Sequence, residues 1–172
     1  FILESIDAVQ LIRGMDEALR ASAAGNVRFR VEFESEALPM LADRTQMRQA
    51  IHNLVANACE AIGEAEGTVA IRAGSERLGR AQLNRLRLGE DAAEGEYVFI
   101  EVKDTGAGMD EDTLQRLFDP FFTTKFTGRG LGLAALLGIV RGHKGAIDVA
   151  SQRGAGAIAQ ALHIPGYAAA KN

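Results

Sequence analysis

The segment from Asp43 to Gly63, DRTQMRQAIHNLVANACEAIG, carries the strongest helical pattern in the chain. Its apolar residues recur every three or four positions, which places them on one face of a helix. Asp43 and Gln46 have the spacing of a capping box, and Gly63 stands where a helix would end. We therefore predict a long amphipathic helix whose buried face comprises Met47, Ile51, Leu54, Ala58 and Ile62.

Shorter patterns predict the remaining elements. Further helices are expected at residues 5–23, 111–119 and 131–143. Alternating or continuous apolar residues predict strands at residues 26–34, 68–74, 97–104, 146–151 and 157–164. Residues 75–95 are charged and turn-rich, which predicts a hairpin excursion or loop without chemistry. Residues 165–172 are expected to fray, as chain ends commonly do.

Helical and extended segments are partly segregated along the chain, which predicts an α+β fold. The expected architecture is a two-layer sandwich, in which one mixed β-sheet carries about three helices packed on one face. No internal repeat and no linker interrupts the sequence, and 172 residues suit one domain. We therefore expect residues 1–172 to form a single domain.

Composition restricts the functional class. A net charge of -4 argues against a nucleic-acid partner, whose phosphates require a basic face. The single cysteine, Cys59, excludes an internal disulfide and is expected to be a buried structural thiol. No apolar run could span a bilayer and no signal peptide is visible, so we expect a cytoplasmic domain without direct membrane contact. The first residue, Phe1, indicates a piece of a longer protein, and the expectation for this domain leaves open whether that parent protein has a membrane anchor.

Two asparagines share one face of the long predicted helix. Asn53 and Asn57 are four residues apart, and the small neighbours Ala56, Ala58 and Ala61 leave room for a bulky group against Asn57. An asparagine oxygen can ligate Mg²⁺, and its NH₂ group can donate to a phosphate. A solvent-facing asparagine pair without a ligand is an equally good interpretation of this segment alone.

Two glycine-rich turns flank the second half of the chain. DTGAGM, Asp104 to Met109, follows a predicted strand, and taken alone it is a tight turn capped by an aspartate. GRGLGL, Gly128 to Leu133, precedes a predicted helix, where exposed N–H groups and the helix dipole favour an anion. It lacks the GK[ST] ending of a Walker loop, and no strand runs into it as in a dinucleotide-binding fingerprint. A loop that simply has to bend is the alternative.

The segment LFDPFFTTKFT, residues 117–127, lies between these turns. It combines a cluster of aromatic residues with a stop signal at Pro120 and a cationic Lys125, which could reach a phosphate. This mixture suits a lid that closes over a ligand. A satellite hydrophobic cluster beneath a long loop is the alternative interpretation.

Together, the Asn-x-x-x-Asn helix, DTGAGM, FDPFF and GRGLGL occur in an order and spacing that resembles the ATP-binding catalytic domain of two-component sensor histidine kinases. That family shares the Bergerat-type ATP-binding fold with DNA gyrase, Hsp90 and MutL. The resemblance covers residues 27–165. It implies ATP and Mg²⁺ as cofactors.

The resemblance also implies roles for individual residues. Asp104 would accept a hydrogen bond from the exocyclic amine of adenine and so select ATP over GTP. Asn57 would bind the Mg²⁺ that bridges the phosphates, and residues 118–129 would form the mobile lid. The other residues implied to line the ATP site are Asn53, Gly106, Gly108, Met109, Phe118, Lys125, Gly128, Arg129, Gly130, Leu131 and Gly132. No residue of this chain is assigned as catalytic.

Two features favour the kinase branch of the superfamily. In the ATPase branches a glutamate that activates water occupies the position of Asn53, and an amide cannot act as a general base. None of His52, His143 and His163 lies in a phospho-acceptor motif, so each is expected to be structural. The resemblance therefore implies a protein-histidine kinase catalytic domain that needs a histidine-containing dimerisation domain of the same parent protein, lying before residue 1. A response regulator receiver domain is the expected downstream partner.

The last glycine box departs from the family pattern. The family usually has G-x-G-T followed two residues later by an aromatic, whereas this chain has Ala157 and Ala159. Because alanine cannot hydrogen-bond through its side chain, we expect an adenine site weaker by about 1 kcal/mol. This departure keeps two alternatives open: a nucleotide-binding pseudokinase that works by protein contact, and an anti-sigma-type serine kinase of the same fold.

Overall fold

The computed structural model describes residues 1–86, 92–105, 130–152 and 157–166. The elements in these ranges are β1 (Glu4–Asp7), α1 (Ala8–Ala21), β2 (Val27–Phe33), β3 (Pro39–Ala42), α2 (Arg44–Ile62), β4 (Gly67–Leu78), α3 (Arg80–Asn84), β5 (Gly95–Asp104), α4 (Gly130–Gly142), β6 (Ala146–Gln152) and β7 (Ala157–Pro165). The helix predicted at residues 111–119 and the predicted lid lie outside the described residues.

Five strands form one mixed sheet in the order β2-β4-β5-β7-β6. β2 and β4 are parallel, and every other neighbouring pair is antiparallel. β5 is the central strand. Its register places Val102 opposite Ile71 on one side and opposite Gln160 on the other. The predicted mixed sheet is confirmed.

The long helices α1, α2 and α4 pack on one face of this sheet. Alternate residues of the central strand, Val98, Ile100 and Val102, are buried against them and belong to one continuous core. β2 forms one edge of the sheet, and its apolar residues are only half-buried. They alternate with exposed residues, as the sequence pattern of this strand predicted. The predicted α+β two-layer sandwich is therefore confirmed.

A second, smaller apolar cluster covers part of the other face of the sheet. Leu78 of β4, Tyr97 of β5 and Ala146 of β6 pack there with Leu83 of α3. Of the two alternatives predicted for residues 75–95, the hairpin excursion is confirmed, because β4 and β5 pair antiparallel as far as Leu78 and Gly95, and the plain loop is wrong. β4 continues to Leu78 and the short helix α3 forms because both bury apolar side chains in this cluster.

The predicted cap at Asp43 and the stop at Gly63 are confirmed. The second hydrogen bond of a capping box is replaced, because the N–H of Asp43 donates to His143 Nε2 and not to the Gln46 side chain. Asp43 Oδ1 accepts a hydrogen bond from the N–H of Gln46 at 3.0 Å, which satisfies one of the N–H groups that lack a partner at a helix start. The N–H groups of Gln46 and Ile2 hold the pKa of Asp43 below its usual range. Gly63 ends the helix at φ 65°, a conformation that favours glycine. The predicted stripe of α2 is buried throughout.

Both chain ends differ from the prediction. The first helix was expected from residue 5, but residues 4–7 form β1, which pairs with β3. Asp7 starts the helix instead, because its carboxylate accepts from the N–H groups of Val9 and Leu38. At the other end, Gly166 forms a bridge to Met40, so fraying does not begin at Pro165. Residues 167–172 lie outside the described part of the chain.

His143, just beyond α4, ties that helix to the start of α2. The N–H of Asp43 donates to His143 Nε2 at 3.0 Å, and His143 Nδ1 donates to the carbonyl oxygen of Ile139 at 2.7 Å. An imidazole that accepts at one nitrogen and donates at the other is neutral. Burial is the main cause that lowers the pKa of His143, and the Asp43 carboxylate opposes this shift.

We expect His143 to make folding sensitive to acid. Since its pKa is lowered in the folded chain, its contribution is complete above about pH 6.5, the ordinary histidine value, and is lost as the pH falls through the folded pKa. The slope from one such group is at most about 1.4 kcal/mol per pH unit. The free energy of unfolding, measured in urea between pH 7.5 and pH 5, should change less steeply with pH in His143→Gln than in the native chain. The exposed His52→Gln is the matched control, and an equal slope in His143→Gln would contradict the assignment.

Candidate functional site

The structure brings three predicted elements of the site to the helix side of the sheet. Asn53 and Asn57 lie in the second half of α2, Asp104 is the last residue of β5, and Gly130 begins α4. Leu131 and Gly132 belong to the first turn of α4. The remaining predicted residues, Gly106, Gly108, Met109, Phe118, Lys125, Gly128 and Arg129, lie outside the described residues.

Asp104 continues the buried alternation of β5. Val98, Ile100, Val102 and Asp104 all face the helices, and only 1% of Asp104 is exposed. A carboxylate thus stands where the pattern of the strand calls for an apolar side chain. Burying a carboxylate costs free energy, so such a position is typical of a functional group.

The backbone on either side of Asp104 is firmly placed. Thr105, the next residue, donates its N–H to Thr68 O at 3.2 Å, and its Oγ1 accepts from Thr68 N at 3.0 Å. Gly67 allows this approach, because a Cβ there would lie 2.9 Å from both Ile62 and Thr105. The end of β5 is therefore held against the start of β4 and the end of α2.

Cys59, in α2, lies close enough to Asp104 for the charge of that carboxylate to affect its thiol. Burial raises the pKa of the Cys59 thiol, and the negative charge of Asp104 raises it further. A buried structural thiol was predicted; the residue packs against the core as expected, but it is only half-buried. It lies two residues beyond Asn57 in α2, on the part of the helix that approaches the end of β5.

Asn57 is linked to the sheet by a residue that the sequence did not single out. Its Nδ2 donates to Gln160 Oε1 of β7 at 3.3 Å, and Gln160 Nε2 donates to the carbonyl oxygen of Leu54 at 3.3 Å. Gln160 is 5% exposed. The signal for it was present, because Gln160 is in phase with the buried Leu162 and Ile164 and is the one polar residue of that series.

The register of β7 shows which way Ala159 faces, one of the two alanines that replace the threonine and the aromatic residue of the family's last glycine box. Ala159 pairs with Lys103, whose side chain is exposed, so it faces away from the helices. The helix-facing position at this level is taken by Gln160. The side chain of Ala157 lies outside the described part of the chain, and the expected loss of adenine affinity stays a prediction.

The start of α4 offers backbone donors. The first turn of a helix has N–H groups without partners within the helix, and the helix dipole gives this end a partial positive charge. Gly130, Leu131 and Gly132 supply such groups in α4, which packs against α2. This arrangement can bind an anion such as a phosphate.

No group of three or more His, Cys, Asp or Glu side chains in the described ranges is arranged to hold a metal ion. A Mg²⁺ ion is commonly held by one or two protein oxygens together with phosphate oxygens and water. A single amide oxygen from Asn57 fits that pattern, provided that a nucleotide supplies the other ligands.

The histidines occupy different environments. His143 and His163 are each 5% exposed, and His163 Nε2 lies 2.9 Å from Glu76 Oε1. His52 is exposed on α2. Burial and hydrogen bonding give His143 and His163 the structural roles expected for them.

Comparison with known proteins agrees with this geometry. The model of the histidine kinase-, DNA gyrase B-, and HSP90-like ATPase family matches residues 42–167. The chain belongs to this family. Among curated proteins, the sensor kinase CckA of Brucella abortus (strain 2308) is 32% identical over 155 residues, which are 89% of this chain and 16% of that protein. The chain is thus an ATP-binding domain of the histidine kinase type, and it spans a small part of this relative's length.

Solved histidine kinases share the fold of this ATP-binding domain. The catalytic domain of histidine kinase ThkA has a TM-score of 0.71 at 28% identity, over 96% of this chain and 97% of that chain. ThkA in complex with response regulator protein TrrA has a TM-score of 0.65 at 25% identity, over 95% and 41%. Full-length ShkA in complex with AMPPNP has a TM-score of 0.73 at 26% identity, over 95% and 31%.

None of the helices in the described ranges combines the length and the apolar character needed to cross a membrane.

Proposed function

We propose that this domain binds Mg-ATP and presents the γ-phosphate to a histidine on a separate dimerisation domain of the same two-component sensor kinase. The observation that carries the proposal is the buried carboxylate of Asp104, held at the end of β5 beside the part of α2 that bears Asn57. This carboxylate is proposed to accept from the exocyclic amine of adenine. Guanine has a carbonyl at that position, so GTP would leave the carboxylate without its donor.

The phosphate end of the nucleotide is assigned to α2 and α4. The first turn of α4, Gly130 to Gly132, is proposed to donate its N–H groups to phosphate oxygens. Asn57 is proposed to hold Mg²⁺ through its amide oxygen, with Asn53 lining the phosphate side. The proposed contacts from outside the described residues are those of Gly106, Gly108, Met109, Phe118, Lys125, Gly128 and Arg129.

The reaction that this arrangement suits is phosphoryl transfer. A nitrogen of the acceptor imidazole forms a bond to the γ-phosphorus, the bond from that phosphorus to the β,γ-bridging oxygen breaks, and ADP leaves. When bound, Mg²⁺ neutralises charge on the phosphate oxygens. The domain contributes position and orientation, and Asn53 cannot activate water because an amide is not a general base. The ATP is thus kept for the histidine.

The proposed partners follow from this reaction. The acceptor histidine lies on the dimerisation domain, and a response regulator receiver domain takes the phosphoryl group from it. The ThkA complex with a response regulator protein supports this assignment. The net charge of -4 supports a domain that does not bind nucleic acid. We place the domain in the cytoplasm without direct membrane contact, whatever the attachment of its parent protein.

The test mixes the 172-residue chain with the dimerisation domain of its parent protein and γ-labelled ATP. Label should appear on the acceptor histidine when Mg²⁺ is present and stay below detection with an acceptor His→Ala variant. Calorimetry with AMPPNP checks binding in parallel. Tight binding without any transfer would instead support the nucleotide-binding pseudokinase, and label on a serine of a protein substrate would support the serine kinase. Release of free phosphate at the rate of ATP loss would contradict the kinase assignment.

A further inference from the structure

The side chain of Gln160 forms a bridge between β7 and two positions of α2. It lies within hydrogen-bond distance of Asn57 and of the carbonyl oxygen of Leu54, at 3.3 Å in each case. Leu54 is completely buried and Gln160 is 5% exposed, so bulk water does not compete for these contacts. The bridge joins the sheet to the helix at the residue proposed to hold Mg²⁺.

The direction of both amides follows from the chemistry of the partners. A backbone carbonyl oxygen can only accept, so the end of Gln160 that faces Leu54 must be the NH₂ group. The other end of Gln160 is then its oxygen, which can only accept from Asn57. Asn57 must therefore present its NH₂ group to Gln160. A single fixed carbonyl thus determines which way both side-chain amides are turned.

We propose that Gln160 is a positioning residue, which fixes the amide of Asn57 with its NH₂ group toward β7 and its oxygen away from β7, toward the ligand side. This inference rests on the proposed role of Asn57 in binding Mg²⁺. The terminal torsion of a free asparagine is broad, so an untethered amide offers nitrogen and oxygen to a cation in turn. Only the oxygen can ligate Mg²⁺.

Outer partners of this kind commonly matter for metal sites. Loss of a group that orients a metal ligand typically lowers metal affinity by about 10- to 100-fold. Here the contact is a neutral hydrogen bond at 3.3 Å, so we expect the lower end of that range, about 10-fold. The effect should appear in binding that depends on Mg²⁺ and should be absent from binding that does not.

The experiment compares four variants of the 172-residue chain by calorimetry with AMPPNP, with Mg²⁺ and with a chelator. Gln160→Met keeps the size of the side chain and removes both hydrogen bonds. The double variant Gln160→Met/Asn57→Ala tests whether Gln160 acts through Asn57. Asn57→Ala removes the proposed ligand itself, and Gln49→Met makes the same change at an exposed position of α2. The quantity measured is the factor by which Mg²⁺ strengthens nucleotide binding.

Gln160→Met should lower this factor by about 10-fold and leave affinity in chelator unchanged, while Gln49→Met should keep the native factor. Added to Asn57→Ala, Gln160→Met should have no further effect, because it acts through Asn57. A native factor in Gln160→Met, with the factor lost in Asn57→Ala, would overturn the inference and leave the proposed function intact. Equal loss with and without Mg²⁺ would show a merely structural role. A native factor in Asn57→Ala would overturn both assignments of Mg²⁺ chemistry.

Discussion

Asp104→Asn should bind ATP about 10-fold more weakly than the native chain and should discriminate less against GTP. A hydrogen bond to a charged acceptor is about twice as strong as a neutral one, and about 1.4 kcal/mol corresponds to tenfold in affinity. The amide also brings an NH₂ group, which can donate to the carbonyl of guanine. Because the two side chains have the same shape, the change should leave the packing at the end of β5 unaltered. Competition calorimetry with ATP and GTP measures both effects.

Glu96→Gln is the matched control for this variant. It makes the same change of charge in the same strand. Because Glu96 is exposed, the Glu96→Gln variant should bind both nucleotides with the affinity of the native chain. Urea unfolding of both variants shows whether a loss of binding reflects a loss of folded protein. Native ATP affinity together with native selectivity in Asp104→Asn would mean that this carboxylate does not contact the base.

Ile100→Ala should lower the free energy of unfolding by about 3 kcal/mol, within the range of 2–5 kcal/mol typical of such truncations. Ile100 is completely buried at the middle of β5, the central strand, and pairs with Ala73 and Leu162. The removed atoms leave a cavity between sheet and helices that neither layer can close, because each is held by its own hydrogen-bonded elements. Equilibrium unfolding in urea measures the loss.

Ile2→Ala is the matched control, because it makes the same truncation at an exposed position. Ile2 is 76% exposed, so truncation there should alter the free energy of unfolding by less than about 0.5 kcal/mol. A loss below about 1 kcal/mol in Ile100→Ala would mean that the core between β5 and the helices collapses around the missing atoms.

The parts of the fold that depend on local signals could be predicted from the sequence. α2 is the clearest case, because its cap at Asp43, its stop at Gly63 and its apolar stripe all lie within one segment. β1 could not be recognised, since Ile6 suits a helix as well as a strand, and the choice is made by pairing with β3 more than thirty residues away. The helix α3 could not be predicted for the same reason, because Leu83 is buried in a cluster with residues of three different strands.

The candidate site divides in the same way. Asn57 and Asp104 could be proposed because each lies in a recognisable segment, and the structure brings α2 and the end of β5 together. The alternation of β7 marks Gln160 as a buried polar residue, but its role could not be predicted, because the role depends on which carbonyl and which amide of α2 lie opposite it. The half-buried state of Cys59 was missed because a helical pattern does not tell how far the flanks of the buried stripe are covered by other elements.

The hydrogen bond from the N–H of Asp43 to His143 holds the C-terminal end of α4 at the start of α2. It pins one end of α4 to the first turn of α2, while Gly130 lies at the opposite end of α4. At 1.5 Å per residue, α4 is about 20 Å long. A tilt of about 5° about the end held by His143 would therefore move the N-terminus of α4 by about 2 Å. A displacement of α4 about this fixed end would therefore move its first turn most, and that turn is the part of α4 proposed to bind the phosphates.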